Sequence, residues 1–498
     1  MEVLFELPIA GQDRTQRQST QAIYELLKSA IIDGSLAPNT KLPPTRAAGK
    51  HFNLSRNSMV SVYERLATEG LVTSHQGAGT FVARALKVAT RFPSLQPTID
   101  AAEMIRPAWT NGAVANGMWF WTEQDTGKSA ASAIELRPGL IDYTLFPFDE
   151  FRRSMAKTLR RMERRPPGHR SPQRSQGNYR LREAIVSHAA LMRAIACEAD
   201  EIIVTAGAQQ AFDILARVFV EADKTSIAVE DPCYLPAVAA FEAAGALIRP
   251  VPVDDEGLIV SKIPDDVRLI YVTPSNQFPL GVTMSTERRR ELLEFARKHR
   301  ALIIEDDYHG EFRTEGEPLK AIYGVESADL VFYVGTFSKC MFPPLRLGYL
   351  IAPAWARHAL ILAKNCTDWH SPSITQAATG LFIEEGHLSA HVARMRTIYR
   401  QRRAALIEAI AMHFGDSLRP VLASYGLQLS ARGDPAIDWD AVAAQARLEG
   451  IEMHSLSRYF SGVPVPGLLF SLGSENETRL SHAVERLAAI ALRHRSPA

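Results

Sequence analysis

Residues 334–349 read VGTFSKCMFPPLRLGY and place one lysine, Lys339, among small hydroxyl residues after an apolar run. Arg346 follows this lysine by seven positions. A lysine that forms a Schiff base needs a desolvated amine, and the phosphate of an aldehyde cofactor needs hydroxyl groups and a guanidinium nearby. The stretch therefore predicts a Schiff-base site, and the remaining motifs can be tested against it.

Composition sets wide bounds on the class of protein. At 498 residues the chain is expected to form two to four domains of about 150 residues each. Its 56 Lys and Arg balance 55 Asp and Glu, so local charge must decide whether nucleic acid is a partner. No metal site or disulfide is expected, since the cysteines lack ligand spacing. The chain has no long uncharged apolar stretch, and we expect a cytoplasmic protein.

The first 83 residues show the periodicity of a small helical domain. Apolar residues recur at helical spacing from Ser19 to Gly34, and a short second helix, capped by Thr45, is predicted to run to Phe52. Ser55 is predicted to cap a third helix. Residues 71–82 alternate around a glycine-bearing tip and indicate a β-hairpin. Three helices and a hairpin predict a winged helix-turn-helix (α+β) domain over residues 1–83.

The start of the third helix carries side chains that suit a major groove. Arginine can contact guanine, while Ser and Asn reach phosphates or bases. Arg46 on the second helix is placed for a phosphate, and the hairpin tip is placed for the minor groove. The alternative is a solvated helix start in a small helical module. The predicted residues that bind a double-stranded DNA operator are Arg46, Ser55, Arg56, Asn57, Ser58, Gln76 and Gly77.

The whole pattern resembles the winged-helix domain of the GntR regulators. That resemblance is carried by several short motifs, which are Asp33-Gly34, Leu42-Pro43-Pro44-Thr45-Arg46, Leu54-Ser55-Arg56-Asn57-Ser58, Tyr63-Glu64-Arg65-Leu66 and Gly77-Ala78-Gly79-Thr80-Phe81-Val82.

Beyond this domain the periodicity changes twice. Residues 84–134 predict a linker, whose Trp109, Trp119 and Trp121 we expect to dock on a surface. From Glu135 short apolar runs alternate with longer helices, which indicates a mostly parallel sheet buried on both faces. The runs are at 202–205, 226–229, 269–272, 301–304 and 331–334. We expect a large α/β part over 135–386 and a small C-terminal α+β part over 387–498.

Polar residues follow several of these strands, and strand ends of an open parallel sheet converge on one crevice. Asp306 is suited to the pyridine nitrogen of pyridoxal phosphate, and the helix start after Thr205 is suited to its phosphate. Tyr234 could stack on the ring, while Asn276 and Tyr308 could contact its phenolic oxygen. Taken singly, each feature is more often a solvated loop or a helix cap.

Their order resembles the fold-type I aminotransferases. The matching motifs are Ala206-Gly207-Ala208-Gln209, Asp231-Pro232-Cys233-Tyr234, Pro274-Ser275-Asn276-Gln277-Phe278-Pro279, Glu305-Asp306-Asp307-Tyr308 and Ser338-Lys339. The resemblance implies pyridoxal 5'-phosphate as cofactor and Lys339 as its Schiff-base lysine. It also implies contacts from Asp306, Tyr308, Tyr234, Asn276, Gly207, Ala208, Gln209, Thr336, Ser338 and Arg346. Fusion of both halves resembles the MocR subgroup of GntR regulators, which implies a head-to-tail homodimer.

One departure from the aminotransferase pattern bears on function. The strand at Gly467–Leu472 has no arginine for a substrate carboxylate, and Arg458 is the nearest substitute, unless it is an exposed loop residue. Our leading hypothesis is therefore a transcription regulator that senses the cofactor or an amine or amino-acid effector at Lys339, with at most partial aminotransferase activity. An aminotransferase with an accessory DNA-binding domain, and a regulator with a dead cofactor site, are the alternatives.

A second departure is the basic stretch 151–182, which has eleven Lys or Arg against one acidic residue, Glu163. Such a run is usually a solvated face. The alternative is contact with DNA phosphates, which would steepen the salt dependence of DNA binding. A further basic helix over 391–403 is compatible with a solvated face.

Overall fold

The computed structural model describes residues 19–75, 77–83, 107–110, 112, 114, 117, 133–164, 175–313, 320–324, 327, 329–421 and 426–496. The chain divides into two compact units, Met1–Met104 and Ile105–Ala498. In the described ranges no helix is long and apolar enough to cross a membrane, and no group of side chains there is arranged to hold a metal ion.

The first unit is the predicted winged helix-turn-helix domain. Its elements are α1 (Thr20–Ile32), α2 (Thr45–His51), α3 (Arg56–Thr68), β1 (Val72–His75) and β2 (Gly79–Val82). The two strands form an antiparallel hairpin in which His75 lies opposite Gly79. Leu27, Met59 and Leu66 are fully buried in one core, so the helical periodicity of the sequence marks the packed faces correctly.

The turn between α2 and α3 is tight. A Cβ atom on Gly49 would lie 2.9 Å from the carbonyl oxygen of Leu54, so the close approach of the chain depends on glycine. Ser55 caps α3, as predicted, because its hydroxyl accepts a hydrogen bond from the amide of Ser58 at 3.1 Å. The predicted cap at Thr45 is wrong. Pro44 holds the capping position and Thr45 is already helical.

The second unit has the α/β architecture expected from Glu135 onward. Its helices are α4 (Pro107–Thr110), α5 (Phe148–Arg164), α6 (Tyr179–Arg193), α7 (Ala208–Phe219), α8 (Leu235–Ala243), α9 (Thr286–His299), α10 (Ala354–Asp368), α11 (Ser373–Glu384), α12 (His387–Phe414), α13 (Trp439–Leu448) and α14 (Glu477–Arg493). Its strands are β3 (Ile134–Glu135), β4 (Ile202–Thr205), β5 (Ser226–Asp231), β6 (Leu247–Asp254), β7 (Gly257–Leu258), β8 (Val267–Val272), β9 (Leu302–Asp307), β10 (Val331–Thr336), β11 (Gly348–Ile351), β12 (Leu418–Pro420), β13 (Gln428–Gly433), β14 (Ile451–Glu452), β15 (His454–Ser455) and β16 (Gly467–Ser471).

Eight strands form the main sheet in the order β4-β11-β10-β9-β8-β5-β6-β7. The central pairs are parallel, whereas β11 and β7 pair antiparallel with their neighbours. Each face of the sheet packs into its own core, since Ile202 and Tyr333 belong to one apolar cluster and Ile203 and Val334 to the other. Burial on both faces explains why the strands appear in the sequence as continuous apolar runs.

The strands that carry the site extend further than the apolar runs. Asp306 and Asp307 still pair in register with Val334 and Gly335 of β10, and Glu230 and Asp231 pair with β6. These carboxylates therefore belong to the last paired residues of their strands rather than to the loops that follow. Their backbone positions are fixed by the sheet.

The C-terminal part forms a separate antiparallel sheet in the order β12-β13-β16-β15, packed with α12, α13 and α14. The short strand β3 pairs in parallel with β14. The chain therefore contributes a strand to this part before it enters the large sheet.

The described residues of the predicted linker pack on the second unit. Val114 is buried, and a Cβ atom on Gly117 would lie 2.9 Å from Cβ of Ala239 on α8. Trp109 is 59 % exposed, so the expectation that its ring docks is wrong within this chain. Trp119 and Trp121 lie outside the described residues.

A buried ion pair holds the strand end that carries the site. Arg193 of α6 binds Asp307 with two of its guanidinium nitrogens, Nε and Nη2, and the two side chains are only 3 % and 4 % exposed. Tyr333 also donates to Asp307, at 2.5 Å. Because α6 and β9 are distant in sequence, the pair ties the helix layer to the sheet beside Asp306.

We predict that Arg193→Leu lowers the free energy of unfolding of the second unit by about 3–5 kcal/mol, since it leaves a buried carboxylate without its cation. The matched control is Arg217→Leu, which breaks an exposed pair with Asp213 and is expected to cost about 1 kcal/mol or less. Urea-induced unfolding measures both. Equal losses in the two variants would contradict this account.

Candidate functional site

Asp306 lies at the carboxyl end of β9 and is 4 % exposed. Its Oδ2 accepts a hydrogen bond from Tyr271 at 2.7 Å, while its Oδ1 is buried without a partner among the described residues. Burial raises the pKa of Asp306 to about 7, although the Tyr271 bond and the positive charge of Lys339 oppose this shift. The carboxyl group of Asp306 therefore has one buried oxygen that is suited to accept a hydrogen bond from a positively charged donor on a ligand.

Lys339 follows β10 and is partly buried. Its Nζ donates to the carbonyl oxygen of Gly139. Burial lowers the pKa of Lys339 to about 8, and the negative charge of Asp306 partly offsets that shift. An amine with this pKa has a much larger neutral fraction at pH 7 than an exposed lysine, and the neutral amine is the nucleophilic form.

The start of α7 and Arg346 form a cradle for an anion. Gly207 precedes the helix with φ +88°, and a Cβ atom there would lie 3.6 Å from the Arg346 guanidinium. The Thr336 hydroxyl donates a hydrogen bond to the hydroxyl oxygen of Ser338, 3.1 Å away. Backbone amides at a helix start, hydroxyls and a guanidinium together suit a phosphate.

Two glutamines at the start of α7 have structural partners. The side chain of Gln209 donates to the carbonyl oxygen of Pro236 at 2.7 Å, and that of Gln210 accepts from the amide of Ala206 at 2.7 Å. The predicted phosphate contact from Gln209 can therefore come only from its backbone.

Tyr234 is half-buried and meets the ring of Phe278 edge-on at 5.6 Å. Burial raises the pKa of Tyr234, the charge of Asp306 adds to this shift, and the charge of Arg346 opposes it. Tyr234 therefore lies close enough to Asp306 and to Arg346 for both charges to act on it. A ligand ring that extends from Asp306 to the anion cradle could stack on the Tyr234 ring.

Asn276 and Tyr308 are in direct contact. Asn276 Nδ2 lies 2.9 Å from Tyr308 Oη, and the Tyr308 hydroxyl donates to the backbone carbonyl of Asn276 at 2.8 Å. Gln428 of β13 approaches the same hydroxyl at 3.4 Å. The small C-terminal sheet thus reaches the site, which the sequence did not indicate.

Several functional candidates were missed by sequence reasoning. Tyr271 lies inside an apolar run, where only its hydroxyl distinguishes it. Glu230 is 1 % exposed, accepts from Thr273 at 2.5 Å and has a pKa raised by burial to about 7. His309 follows Tyr308 directly. Two of these had a sequence signal: Glu230 directly follows the apolar run 226–229, and His309 stands beside a predicted site residue.

Unpaired buried polar atoms are concentrated here. Within the described ranges these atoms include Glu230 Oε1, Ser275 Oγ, Asn276 Oδ1, Asp306 Oδ1 and His309 Nε2. Buried polar groups are ordinarily hydrogen-bonded, so such a concentration marks a place where a polar ligand completes the bonding. A ligand with a pyridine nitrogen, a phenolic oxygen and a phosphate would match Asp306 Oδ1, the side-chain amide of Asn276 and the anion cradle at Arg346, respectively.

Arg458 is not brought to this cluster. It lies in a 3-10 turn at Ser457–Tyr459 and lines a groove with Asp440 and Arg447. β16 contains no arginine, as the sequence predicted. Arg403 of α12 instead reaches the site, where it donates to the carbonyl oxygen of Gln428 at 3.0 Å.

The predicted DNA-binding residues are mostly exposed on the first unit. Arg46, Arg56, Asn57 and Gly77 are exposed. The hydroxyls of Ser55 and Ser58 are 2.9 Å apart and belong to the helix cap. Gln76 lies outside the described residues.

The basic face of α5 is only partly neutralised. Arg152, Arg153 and Lys157 pair with Asp149, Glu150 and Glu385, respectively. Arg160, Arg161 and Arg164 are exposed and have no acidic partner among the described residues. Arg165 lies outside those residues.

On α12 several basic side chains point inward. Arg396 donates to the carbonyl oxygen of Glu311, and Arg402 binds Asp142 at 2.8 Å. For these two residues the expected solvated face is wrong.

Two family models match the chain. Residues 144–451 match "Aminotransferase class I and II", and residues 19–82 match "Bacterial regulatory proteins, gntR family". The matches fall within the second and the first unit, respectively.

Full-length relatives share both regions. The chain is 32 % identical to the probable rhizopine catabolism regulatory protein MocR of Rhizobium meliloti, over 89 % of this chain and 87 % of the relative. It is 28 % identical to the pyridoxine biosynthesis transcriptional regulator PdxR of Corynebacterium glutamicum, over 96 % and 97 %. An archaeal alanine:glyoxylate aminotransferase structure shares the fold, with a TM-score of 0.71 and 23 % identity over 79 % of this chain and all of that chain.

We predict that Lys339 reacts with a small amine-directed reagent at a half-maximal rate near pH 8, since burial lowers its pKa to about 8. Asp306→Asn removes the negative charge that raises this pKa, so the midpoint shifts to lower pH. Mass spectrometry of cofactor-free protein measures the labelling. Exposed Lys224 is the control, and a Lys339 profile that superposes on the Lys224 profile would refute the prediction.

Proposed function

Because this chain belongs to the MocR type of gntR-family transcriptional regulators, we propose that it binds a double-stranded DNA operator with its first unit and pyridoxal 5'-phosphate with its second. The observation that carries the cofactor half is the pairing of a low-pKa Lys339 with the unpaired Oδ1 of Asp306. Two relatives, named as regulators of rhizopine catabolism and of pyridoxine biosynthesis, support the regulatory half.

Each group on the cofactor would be contacted by a different set of residues. Asp306 Oδ1, which has no other partner in the described chain, would accept a hydrogen bond from the protonated pyridine nitrogen and so keep that nitrogen protonated. The amides of Gly207 and Ala208, the hydroxyls of Thr336 and Ser338, and Arg346 hold the phosphate. Tyr234 stacks on the ring, and Asn276 with Tyr308 faces the phenolic oxygen. When bound, the cofactor supplies an aldehyde that condenses with amines and a ring that withdraws electrons.

Lys339 makes the site responsive to amines. Lys339 Nζ donates to the Gly139 carbonyl oxygen, and an amine engaged by the cofactor's aldehyde would not make this bond. The contacts of residues 139 and 339 would therefore depend on whether Lys339 or another amine is engaged. A ligand alters DNA binding only if it has different affinity for the two arrangements. An amine or amino acid that competes with Lys339 provides such a difference.

A regulatory role is favoured over steady transamination. β16 lacks an arginine for a substrate carboxylate, and the groove that Arg458 lines contains none of the proposed cofactor residues. A homodimer, assembled head to tail, would present two winged helices to an operator with two half-sites.

We predict that Arg56→Ala weakens binding to the DNA upstream of the protein's own gene by about 1–3 kcal/mol, with little effect on unrelated DNA, because Arg56 contacts bases. The comparison variant is Arg46→Ala. It should weaken both DNAs alike and lower the salt slope by about one, as a phosphate contact does. Fluorescence anisotropy over a salt series measures both. Equal losses on both DNAs for Arg56→Ala would contradict base contact.

We predict that pyridoxal phosphate gives the parent protein a visible absorbance band, and that borohydride reduction fixes a phosphopyridoxyl group on Lys339. Lys339→Ala loses both signals. Asp306→Asn lowers affinity about tenfold or more, since a hydrogen bond to a charged group is lost. Lys224→Ala, an exposed change, is the control. Label on another lysine in the parent would overturn the assignment.

A further inference from the structure

His309 is the second neighbour of the Asn276 amide, beside Tyr308. Its Nδ1 lies 3.3 Å from Asn276 Nδ2, and its ring centroid is 4.1 Å from that of Tyr308. The side chain of His309 is 2 % exposed. The imidazole is therefore packed directly behind the pair that faces the phenolic oxygen in the proposed cofactor site.

The loop at Gly426 closes over this pair. A Cβ atom on Gly426 would lie 2.9 Å from Asn276 Nδ2 and 3.1 Å from His309 Nδ1. Such spacing leaves no place for a water molecule between Gly426 and the two side chains. Asn276 and His309 therefore contact each other directly, with no water between them and Gly426.

Two hydrogen-bonding arrangements are possible for a neutral imidazole, which carries one N–H. If Nδ1 accepts from Asn276 Nδ2, the proton is on Nε2, and both Nε2 and Asn276 Oδ1 are buried without partners in the described ranges. If Nδ1 carries the proton, it donates to Asn276 Oδ1 after the amide turns by half a revolution. Asn276 Nδ2 then occupies the position of the unpaired oxygen.

Nearby charges favour the second arrangement. Burial, with the positive charges of Lys339 and Arg403, holds the pKa of His309 well below its ordinary value and keeps the ring neutral. Nδ1 contacts Asn276, so Nε2, which has no partner among the described residues, is the nitrogen that can respond to those charges. A lone pair on Nε2 is attracted by cations, whereas an N–H dipole is repelled. The proton is therefore favoured on Nδ1.

We propose that His309 is a positioning residue that donates from Nδ1 to Asn276 Oδ1 and thereby turns Asn276 Nδ2 toward the phenolic oxygen of pyridoxal phosphate. The inference rests on the proposed cofactor site. In that arrangement the Tyr308 hydroxyl still has acceptors within reach, namely the side-chain and backbone oxygens of Asn276. Without His309 the amide is free to present its oxygen instead, which would repel a phenolate.

The test is the pH midpoint of the visible absorbance change of the protein loaded with pyridoxal phosphate. A donor to the phenolic oxygen stabilises its anionic form, so losing the donor raises the midpoint. His309→Leu and His309→Gln, which place no donor at the Nδ1 position, should raise it by about one pKa unit, a tenfold change in proton affinity. His309→Asn, whose amide nitrogen can occupy the Nδ1 position, should keep the midpoint close to that of the parent.

The Asn276→Ala background separates positioning from packing. There His309→Leu should cause no further shift, because the amide through which His309 acts is gone. Circular dichroism confirms that the variants are folded. An unchanged midpoint in His309→Leu, an equal shift in His309→Asn and His309→Leu, or a full shift in the Asn276→Ala background would each overturn the inference. A parent protein with no visible band would instead overturn the proposed cofactor site itself, and this inference with it.

Discussion

Burial of the Asp306 carboxyl group at the end of a central parallel strand is the constraint on which the site depends. Register with β10 fixes its backbone, Tyr271 occupies one oxygen, and the other stays unpaired among the described residues. A buried carboxylate is costly unless a donor or a cation meets it. Lys339 supplies nearby positive charge, and the charge of Asp306 in turn opposes the lowering of the Lys339 pKa by burial, so the pKa of each group depends on the other.

Neighbouring strand ends extend the same principle. The carboxylate of Glu230 accepts a hydrogen bond from Thr273. The carboxylate of Asp307 accepts hydrogen bonds from both Arg193 and Tyr333, and it therefore acts as a structural anchor. Consecutive residues 306 and 307 point to opposite faces of the sheet, as strand geometry requires. One carboxylate therefore serves the site while the next ties the helix layer to the sheet.

Sequence patterns located the winged helix and the strands because each depends on local periodicity. They also singled out Lys339, where a Schiff base is proposed, because it follows an apolar run. They could not locate contacts between distant segments. The meeting of residues 276, 309, 403 and 428 depends on how the small C-terminal sheet packs on the large one. Local reasoning also erred at Thr45, where proline holds the capping position.

The most direct test of the account is the affinity of the full-length protein for the DNA upstream of its own gene, measured with and without pyridoxal phosphate, for the parent and for Lys339→Ala. A switch that acts through Lys339 predicts a cofactor-dependent change in the affinity of the parent and none in the variant. The same cofactor response in both proteins, or specific DNA binding by neither, would contradict it.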